Sequence, residues 1–481
     1  MELTYCNPLS VKDIPHGNPL DYSLSKTPGL ADYRSISDPS VVYYQGKWIL
    51  YPSYRVAYVT EDFVHWDHVD IGVSDMRYSP AIVQFRSKWY LQGHGIPELY
   101  VADSPTGPFT VCGTMTDCHG DPAIIKDGCF LADGDHLYMF WPDDMSLNNS
   151  ENPNIESYGC KGVELNPDAP WKMLTEIVDV YTYQPEVKWQ PWGENNQCIR
   201  KGYVEGLWAY KRGSRYYILA AAGGTEFGSY ANGVLISDNP LSGYKLQTKH
   251  DPLSQKNYGL VRGAGHGCIV DGPNDSIWLF YTCIFNYNHL FERRIGMDPL
   301  GMDEDGELYC PALTETPQYA PGVMAKPELG NSAGLLPINA MIRPKASSEA
   351  PGRIALYAVD NSVLTWWQPA ENDPEPTVLF PFKSPYRTEA LRIVWRDIDM
   401  KPSAGIYPGP FRYVVEYAKD EEMTQWEMLI DASENEEDLC IDYRQFDAVR
   451  AWAVRLRILG APKGITPGLV SLTAFGLNDL N

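Results

Sequence analysis

Gly46-Lys47-Trp48-Ile49-Leu50-Tyr51 is a polar turn running into an aromatic-rich strand. The same phrase returns four times. It reads Ser87-Lys88-Trp89-Tyr90-Leu91, then Asp135-His136-Leu137-Tyr138-Met139-Phe140-Trp141, then Ser214-Arg215-Tyr216-Tyr217-Ile218-Leu219, then Ser276-Ile277-Trp278-Leu279-Phe280-Tyr281. An apolar run precedes each copy, at 39–44, 80–85, 129–132, 207–210 and 268–270. Two strands joined by a short turn form a hairpin, so each unit opens with one. A second phrase follows in three units. Its copies are Val59-Thr60-Glu61-Asp62-Phe63, Val101-Ala102-Asp103-Ser104-Pro105-Thr106-Gly107-Pro108-Phe109 and Ile236-Ser237-Asp238-Asn239-Pro240-Leu241-Ser242-Gly243-Tyr244. Units recur every 40 to 80 residues, roughly the period of four-stranded propeller blades with loop insertions. Chance hairpins in a β-sandwich are the alternative, and five matched hairpins with three matched tails favour a five-bladed propeller.

The rest of the chain is read outward from these repeats. The third and fourth hairpins lie farthest apart, and the gap holds the strand-like Gly162–Asp168 stretch, Trp189 and Trp192. That insertion is expected over one face of the propeller, where loops usually carry function. The repeat dissolves after about Pro337, and Arg343-Pro344-Lys345-Ala346-Ser347-Ser348-Glu349-Ala350-Pro351-Gly352 reads as a linker. New strands follow at 391–395, 413–417, 426–430 and 452–458. The expected organisation is a propeller over 1–336, a linker over 337–352 and a β-sandwich over 353–481. Forty Gly and 38 Pro in 481 residues favour turns and short strands over long helices, so the fold class is all-β.

Composition narrows the partners. A net charge of −23 repels phosphate backbones and anionic lipid surfaces, so neither nucleic acid nor membrane is an expected partner. Neutral sugars tolerate such a surface. Ten cysteines occur without a CxxC pair, which argues against a structural zinc site and for free thiols. The opening Met-Glu-Leu-Thr-Tyr-Cys lacks a signal-peptide pattern. A cytoplasmic location is therefore expected, or a secreted or periplasmic one if a signal has been removed.

The innermost strand of each blade lines the propeller axis, so residues at its start converge on one place. Three acids hold that position: Asp38 in blade one, Asp127 in blade three and Glu205 in blade four. Blade two offers Ser79-Pro80, and blade five Gly265-His266-Gly267. Cleavage of a glycosidic bond needs one protonated and one ionised carboxyl group, and such a convergence supplies both. Any one acid alone reads equally well as a turn cap; equivalent placement in several repeats favours a shared pocket.

In these segments the chain resembles glycoside hydrolase family 43, over roughly residues 15 to 320. Asp38-Pro39-Ser40-Val41 resembles that family's general-base segment, and Glu205-Gly206 its general-acid segment. Lys126-Asp127, with Asp133-Gly134-Asp135, resembles the segment of its third acid, although Asp121-Pro122 is a rival. The resemblance implies a five-bladed propeller and an inverting mechanism. Asp38 would activate water, Glu205 would protonate the leaving oxygen, and Asp127 would raise the pKa of Glu205 and orient it. No cofactor is required. The resemblance also implies a calcium ion near His266 on the axis, contacted through water. Leu207-Trp208 stands where the family usually has Pro, and Tyr78-Ser79-Pro80 where it has Trp-Ala-Pro, so sugar identity is the open point. Trp208, Trp192, Tyr78 and Tyr54 are candidate rings for sugar stacking, with Arg55 and Arg294 as hydroxyl donors; most such rings in a propeller serve packing. His94, His119 and His289 are given no role.

The C-terminal strands resemble the discoidin-like sandwich of coagulation-factor 5/8 type modules, through Ala358-Val359-Asp360-Asn361, Thr365-Trp366-Trp367 and Tyr413-Val414-Val415-Glu416-Tyr417. Such a module either binds sugar or buttresses the propeller. The resemblance implies removal of α-L-arabinofuranosyl or β-D-xylosyl units from plant-type oligo- or polysaccharides. Galactosyl, galactofuranosyl or fructosyl linkages and a non-catalytic glycan-binding role are the alternatives. Glu205-Gly206, in place of Glu-Cys, speaks against the fructosyl case.

Overall fold

A computed structural model describes residues 2–13, 33–53, 56–73, 76–143, 156–157 and 159–478. Five antiparallel blades surround one axis, four of them four-stranded and the fourth in chain order carrying a fifth short strand, Ser254–Gln255. Their innermost strands are Ser40–Tyr44, Ala81–Phe85, Cys129–Asp133, Glu205–Arg212 and Cys268–Asp271. Each pairs with the aromatic strand of its hairpin: Lys47–Tyr51, Lys88–Gln92, His136–Pro142, Arg215–Ala222 and Ile277–Ile284. All five hairpins read from the sequence are present.

The second phrase has a local cause. Its first residues end a third strand, and its polar residues cap the turn that follows. In blade one Thr60 Oγ1 accepts from Phe63 N at 2.9 Å, and Asp62 Oδ1 accepts from Val64 and His65 N. In blade four Ser237 and Asn239 do the same for Asn239 and Leu241 N. The turn drops Phe63, Phe109 or Tyr244 into the core, each under 9 % exposed. Side-chain oxygens that hydrogen-bond backbone two or three residues on are the usual reason such residues fill turns.

The apolar core lies between blades, because each twisted sheet buries both faces against its neighbours. Trp89, Ile49 and Tyr51 join blades one and two; Phe140, Leu207 and Ile218 join three and four. The ring closes where Trp48 and Leu50 of blade one meet Trp278, Phe280 and Ile295 of blade five. Asn7 stitches this seam, donating to Met297 O at 2.7 Å and accepting from Met297 N at 2.9 Å.

The C-terminal unit is a seven-stranded antiparallel sheet wrapped about its own core of Trp367, Phe380, Trp395, Tyr413 and Leu456. Its two longest strands, Thr377–Ile398 and Ile441–Gly460, pair along their length and shift register at Pro381/Tyr386 and Thr388/Ala390. Such bulges bend a strand and let one sheet close over itself. The stretch 337–352 does not run as a free linker. Leu336–Pro337 pairs with Phe475 and Gly476, and Lys345–Ala346 pairs with Leu379 and Val378. Its Pro- and Ser-rich sequence reads as a loop, but its amides complete the sheet edges. Propeller and sandwich share an apolar joint, in which Val363, Trp366, Val394 and Ile441 pack with Leu260, Cys283 and Phe285. All ten cysteines are free.

Candidate active site

Four of the five inner strands are entered through a residue in the left-handed backbone region that is not glycine. These are Asp38 (φ 51°), Ser79 (φ 45°), Asp127 (φ 47°) and His266 (φ 39°); in blade four the position is Gly206 (φ 56°). A side chain in that region costs of order 1–3 kcal/mol, and such strain collects at functional sites. The five-fold recurrence shows the reason here. The kink turns each residue off the sheet and onto the axis.

Blade four differs by one residue. Glu205 pairs with Ala221 and Trp208 with Leu219, so one extra residue sits between them. This bulge, with Gly206 at positive φ, aims Glu205 into the same space from one position earlier. A Cβ on Gly206 would stand 2.7 Å from His266 Cγ and 2.9 Å from its Nδ1. Gly206→Ala is therefore expected to displace His266 and lower activity at least about tenfold, and to destabilise the fold by roughly 1–2 kcal/mol. Kinetics and thermal unfolding of the variant check this; a wild-type rate would show that the close approach is unimportant.

The converging side chains line a cavity of about 260 Å³. Water would fill it with roughly nine molecules, the scale of a single sugar unit. Asp38, Asp127 and Glu205 all reach it, together with Tyr78, His94 and His266. Thr225, Tyr230, Phe291 and Arg293 complete the wall.

Asp38 is 3 % exposed and heavily bonded. Arg293 donates to both its oxygens, at 2.8 and 2.7 Å, the two-pronged geometry that suits guanidinium and carboxylate. Ser53 Oγ donates at 2.7 Å and Ser37 Oγ at 3.2 Å, and His266 Nδ1 stands 3.3 Å away. Burial pushes the Asp38 carboxyl up, but Arg293, His266 and the two hydroxyls outweigh it and hold it below the usual carboxylate range. Asp127 hydrogen-bonds His94 Nδ1 at 2.8 Å. Burial opposes its ionisation too, and His94 with His266 more than offsets that.

Glu205 goes the other way. Loss of water raises its pKa most, the charge of Asp127 adds to this, and Glu226 and Asp38 add less; the Tyr230 hydroxyl, donating at 3.0 Å, opposes them. The result is about 8, so the group holds its proton at neutral pH. One cavity thus contains two ionised carboxylates and one protonated acid, the division of labour that acid–base cleavage requires.

Comparison with known proteins agrees with the fold. The family model for glycosyl hydrolases family 43 matches residues 34–308. The chain belongs to this family. A non-reducing-end α-L-arabinofuranosidase of Bacteroides ovatus is 26 % identical over 262 residues, 52 % of this chain and 45 % of that protein. The chain thus matches about half the length of that curated relative. Among solved structures, a thermostable family-43 glycoside hydrolase aligns with TM-score 0.52 at 19 % identity, covering 67 % of this chain and 100 % of that one. A glycoside hydrolase aligns with TM-score 0.50 at 19 % identity, covering 92 % and 97 %.

Within this family-43 propeller the remaining sequence candidates separate. Tyr78 lines the cavity, edge-on to Phe291. Asp121, the rival to Asp127, is exposed in a turn capped by Asp117. Trp208 is not in the wall. Past the bulge, its indole N–H donates to Ile269 O at 2.8 Å, and it lies with Tyr43, Gln84 and Lys211 in a separate axial cavity. Trp192 packs edge-on to Phe227 under Lys201, beside the Gly224–Thr225 turn but outside the lining. Arg294 is buried away from the cavity, and its neighbour Arg293 faces it. Adjacent strand residues point to opposite sides, and the sequence read the wrong parity. Tyr54 and Arg55 lie outside the described residues. His266 lines the cavity with Nδ1 3.3 Å from Asp38 Oδ1 and Nε2 3.0 Å from Ser79 Oγ, so neither ring nitrogen is open for direct coordination of calcium. His94, Tyr230 and Thr225 were missed; of these, only His94, in Gln92-Gly93-His94-Gly95, carried a signal, its place just after a blade strand.

Proposed function

We propose that the chain removes single α-L-arabinofuranosyl or β-D-xylosyl units from plant-type oligo- or polysaccharides, with inversion. The observation that carries the reading is the convergence of Asp38, Asp127 and Glu205 on one cavity, where burial and Asp127 push Glu205 up to about 8 while Arg293 holds Asp38 low. Glu205 gives its proton to the leaving oxygen as the bond to the anomeric carbon stretches. Asp38 takes a proton from a water that attacks the opposite face. Asp127 stays ionised and keeps Glu205 protonated until the transition state. Cavity size favours one sugar unit, and the B. ovatus relative acts, by its name, at non-reducing ends on α-L-arabinofuranosyl groups.

A panel of aryl arabinofuranosides, xylosides, galactosides and galactofuranosides tests the sugar. Turnover is expected on one of the first two. NMR during hydrolysis should show the first-formed sugar with the opposite anomeric configuration. Retention would contradict the role given to Asp38, and no turnover on any pentoside would overturn the sugar assignment.

A further inference from the structure

Two segments bring the Asp38–Arg293 pair together: 33–38, ending in Asp38, and 286–294, carrying Arg293. Both are gripped by the C-terminal sandwich. Arg34 stands four residues before Asp38, with a side chain 3 % exposed. Its Nη1 lies 2.5 Å from Asp13 and 2.8 Å from Asp438, and its Nη2 lies 2.8 Å from Asp397. Asp397 and Asp438 belong to the sandwich. Arg294, the residue after Arg293, donates to Arg293 O at 2.8 Å, Arg34 O at 3.3 Å and Cys440 Sγ, in the sandwich, at 3.1 Å. Arg396, also of the sandwich, donates to Tyr287 O at 3.2 Å, and its guanidinium carbon stands 4.8 Å from the Tyr287 ring centre and 3.8 Å from that of Trp366.

We infer that the sandwich is a positioning device for the active site, acting through Arg34 and Arg294 to set the geometry of Asp38 against Arg293. The inference rests on the assignment of Asp38 as the base. An apolar joint alone would hold the two units together as well, because a buried ion cluster is often no more stabilising than well-packed apolar side chains. What the cluster adds is a fixed arrangement. A guanidinium held within 2.8 Å of three carboxylates has one pose that keeps all three ion pairs, whereas apolar surfaces tolerate small slides. Arg34 and Arg294 pass that pose along the backbone to residues within four positions of Asp38 and next to Arg293. Ile36 N, which donates to Arg293 O at 3.2 Å, ties the two segments to each other. This favours the buttressing reading of the C-terminal unit over a separate sugar-binding module.

The test uses the full chain with Asp397→Asn, Arg34→Met and Arg34→Lys. Small displacements of reacting groups cost up to about 100-fold. Arg34→Met should lower kcat about 10- to 100-fold with KM little changed. Asp397→Asn, which keeps size and shape, should lower it less. In both, the acid limb of the pH profile should move upward, because Asp38 loses part of its alignment with Arg293. Arg34→Lys should recover part of the rate. Folded variants of Arg34 and Asp397 with the wild-type kcat and acid limb overturn the inference, provided wild type is active and Asp38→Asn is not. A wild type without activity, or an active Asp38→Asn, overturns the functional reading instead.

Discussion

Replacing Glu205 by Gln is expected to lower kcat about 100- to 10,000-fold on a substrate with an alkyl-sugar leaving group, the range that general-acid catalysis supplies. The amide keeps the shape of the carboxyl and can still accept the Tyr230 hydroxyl bond, so the fold and KM should change little. The size of the loss should depend on the leaving group. An activated nitrophenolate departs with little protonation, so aryl substrates should lose far less than oligosaccharides. The pH profile gives a second reading. In the wild type, activity should fall as pH rises through about 8, where Glu205 gives up its proton to solvent and has none to deliver. That limb should vanish in the Gln variant. Equal losses on good and poor leaving groups, or a limb at 8 that persists, would assign the proton to another group.

How much of this was visible in the chain follows from what repeats. The hairpin phrase recurs because each blade solves the same packing problem, burying an aromatic strand against the next blade. Trp48, Trp89 and Trp278, all under 5 % exposed, are therefore both the sequence signal and the core. The acids were legible for the same reason: Asp38 and Asp127 occupy one slot of the repeat, and Glu205 sits one residue from it. Features outside the repeat were not. The choice between Arg293 and Arg294 is a matter of strand parity, and two adjacent arginines carry no mark of which faces the axis. Trp208 looked like a pocket ring because it follows Glu205, but the bulge at Gly206 sends it elsewhere. Tyr230 and Thr225 come from a loop and a third-strand edge whose approach to the axis depends on tertiary packing. The clamp of Arg34 by Asp397 and Asp438 joins residues about 360 and 400 positions apart, a pairing that neither periodicity nor local motif encodes.

Asp38→Asn should be at least as damaging as the loss of Glu205, and for more than one reason. The amide cannot take a proton from water, so the attack loses its base, about 100- to 10,000-fold. It also leaves Arg293, 4 % exposed, facing a neutral group. Breaking one side of a buried ion pair costs about 3–5 kcal/mol, so the variant should melt earlier at neutral pH. The sign is set by the depressed pKa of Asp38. Its contribution to stability is present above the unfolded carboxyl value of about 3.9 and is lost as pH falls through the lower folded value. The stability gap between wild type and variant should therefore be full at pH 7 and shrink in strong acid. Removing this charge also removes one of the influences that raise Glu205, so the alkaline limb of any residual activity should lie below that of the wild type. Azide separates the chemistry from the stability. It attacks without needing a base, so a folded Asp38→Asn chain supplied with azide and an aryl substrate should form a glycosyl azide of inverted configuration. An azide product of retained configuration would mean that the vacated face is not the one from which water attacks, and Asp38 would lose its role even if the variant were inactive.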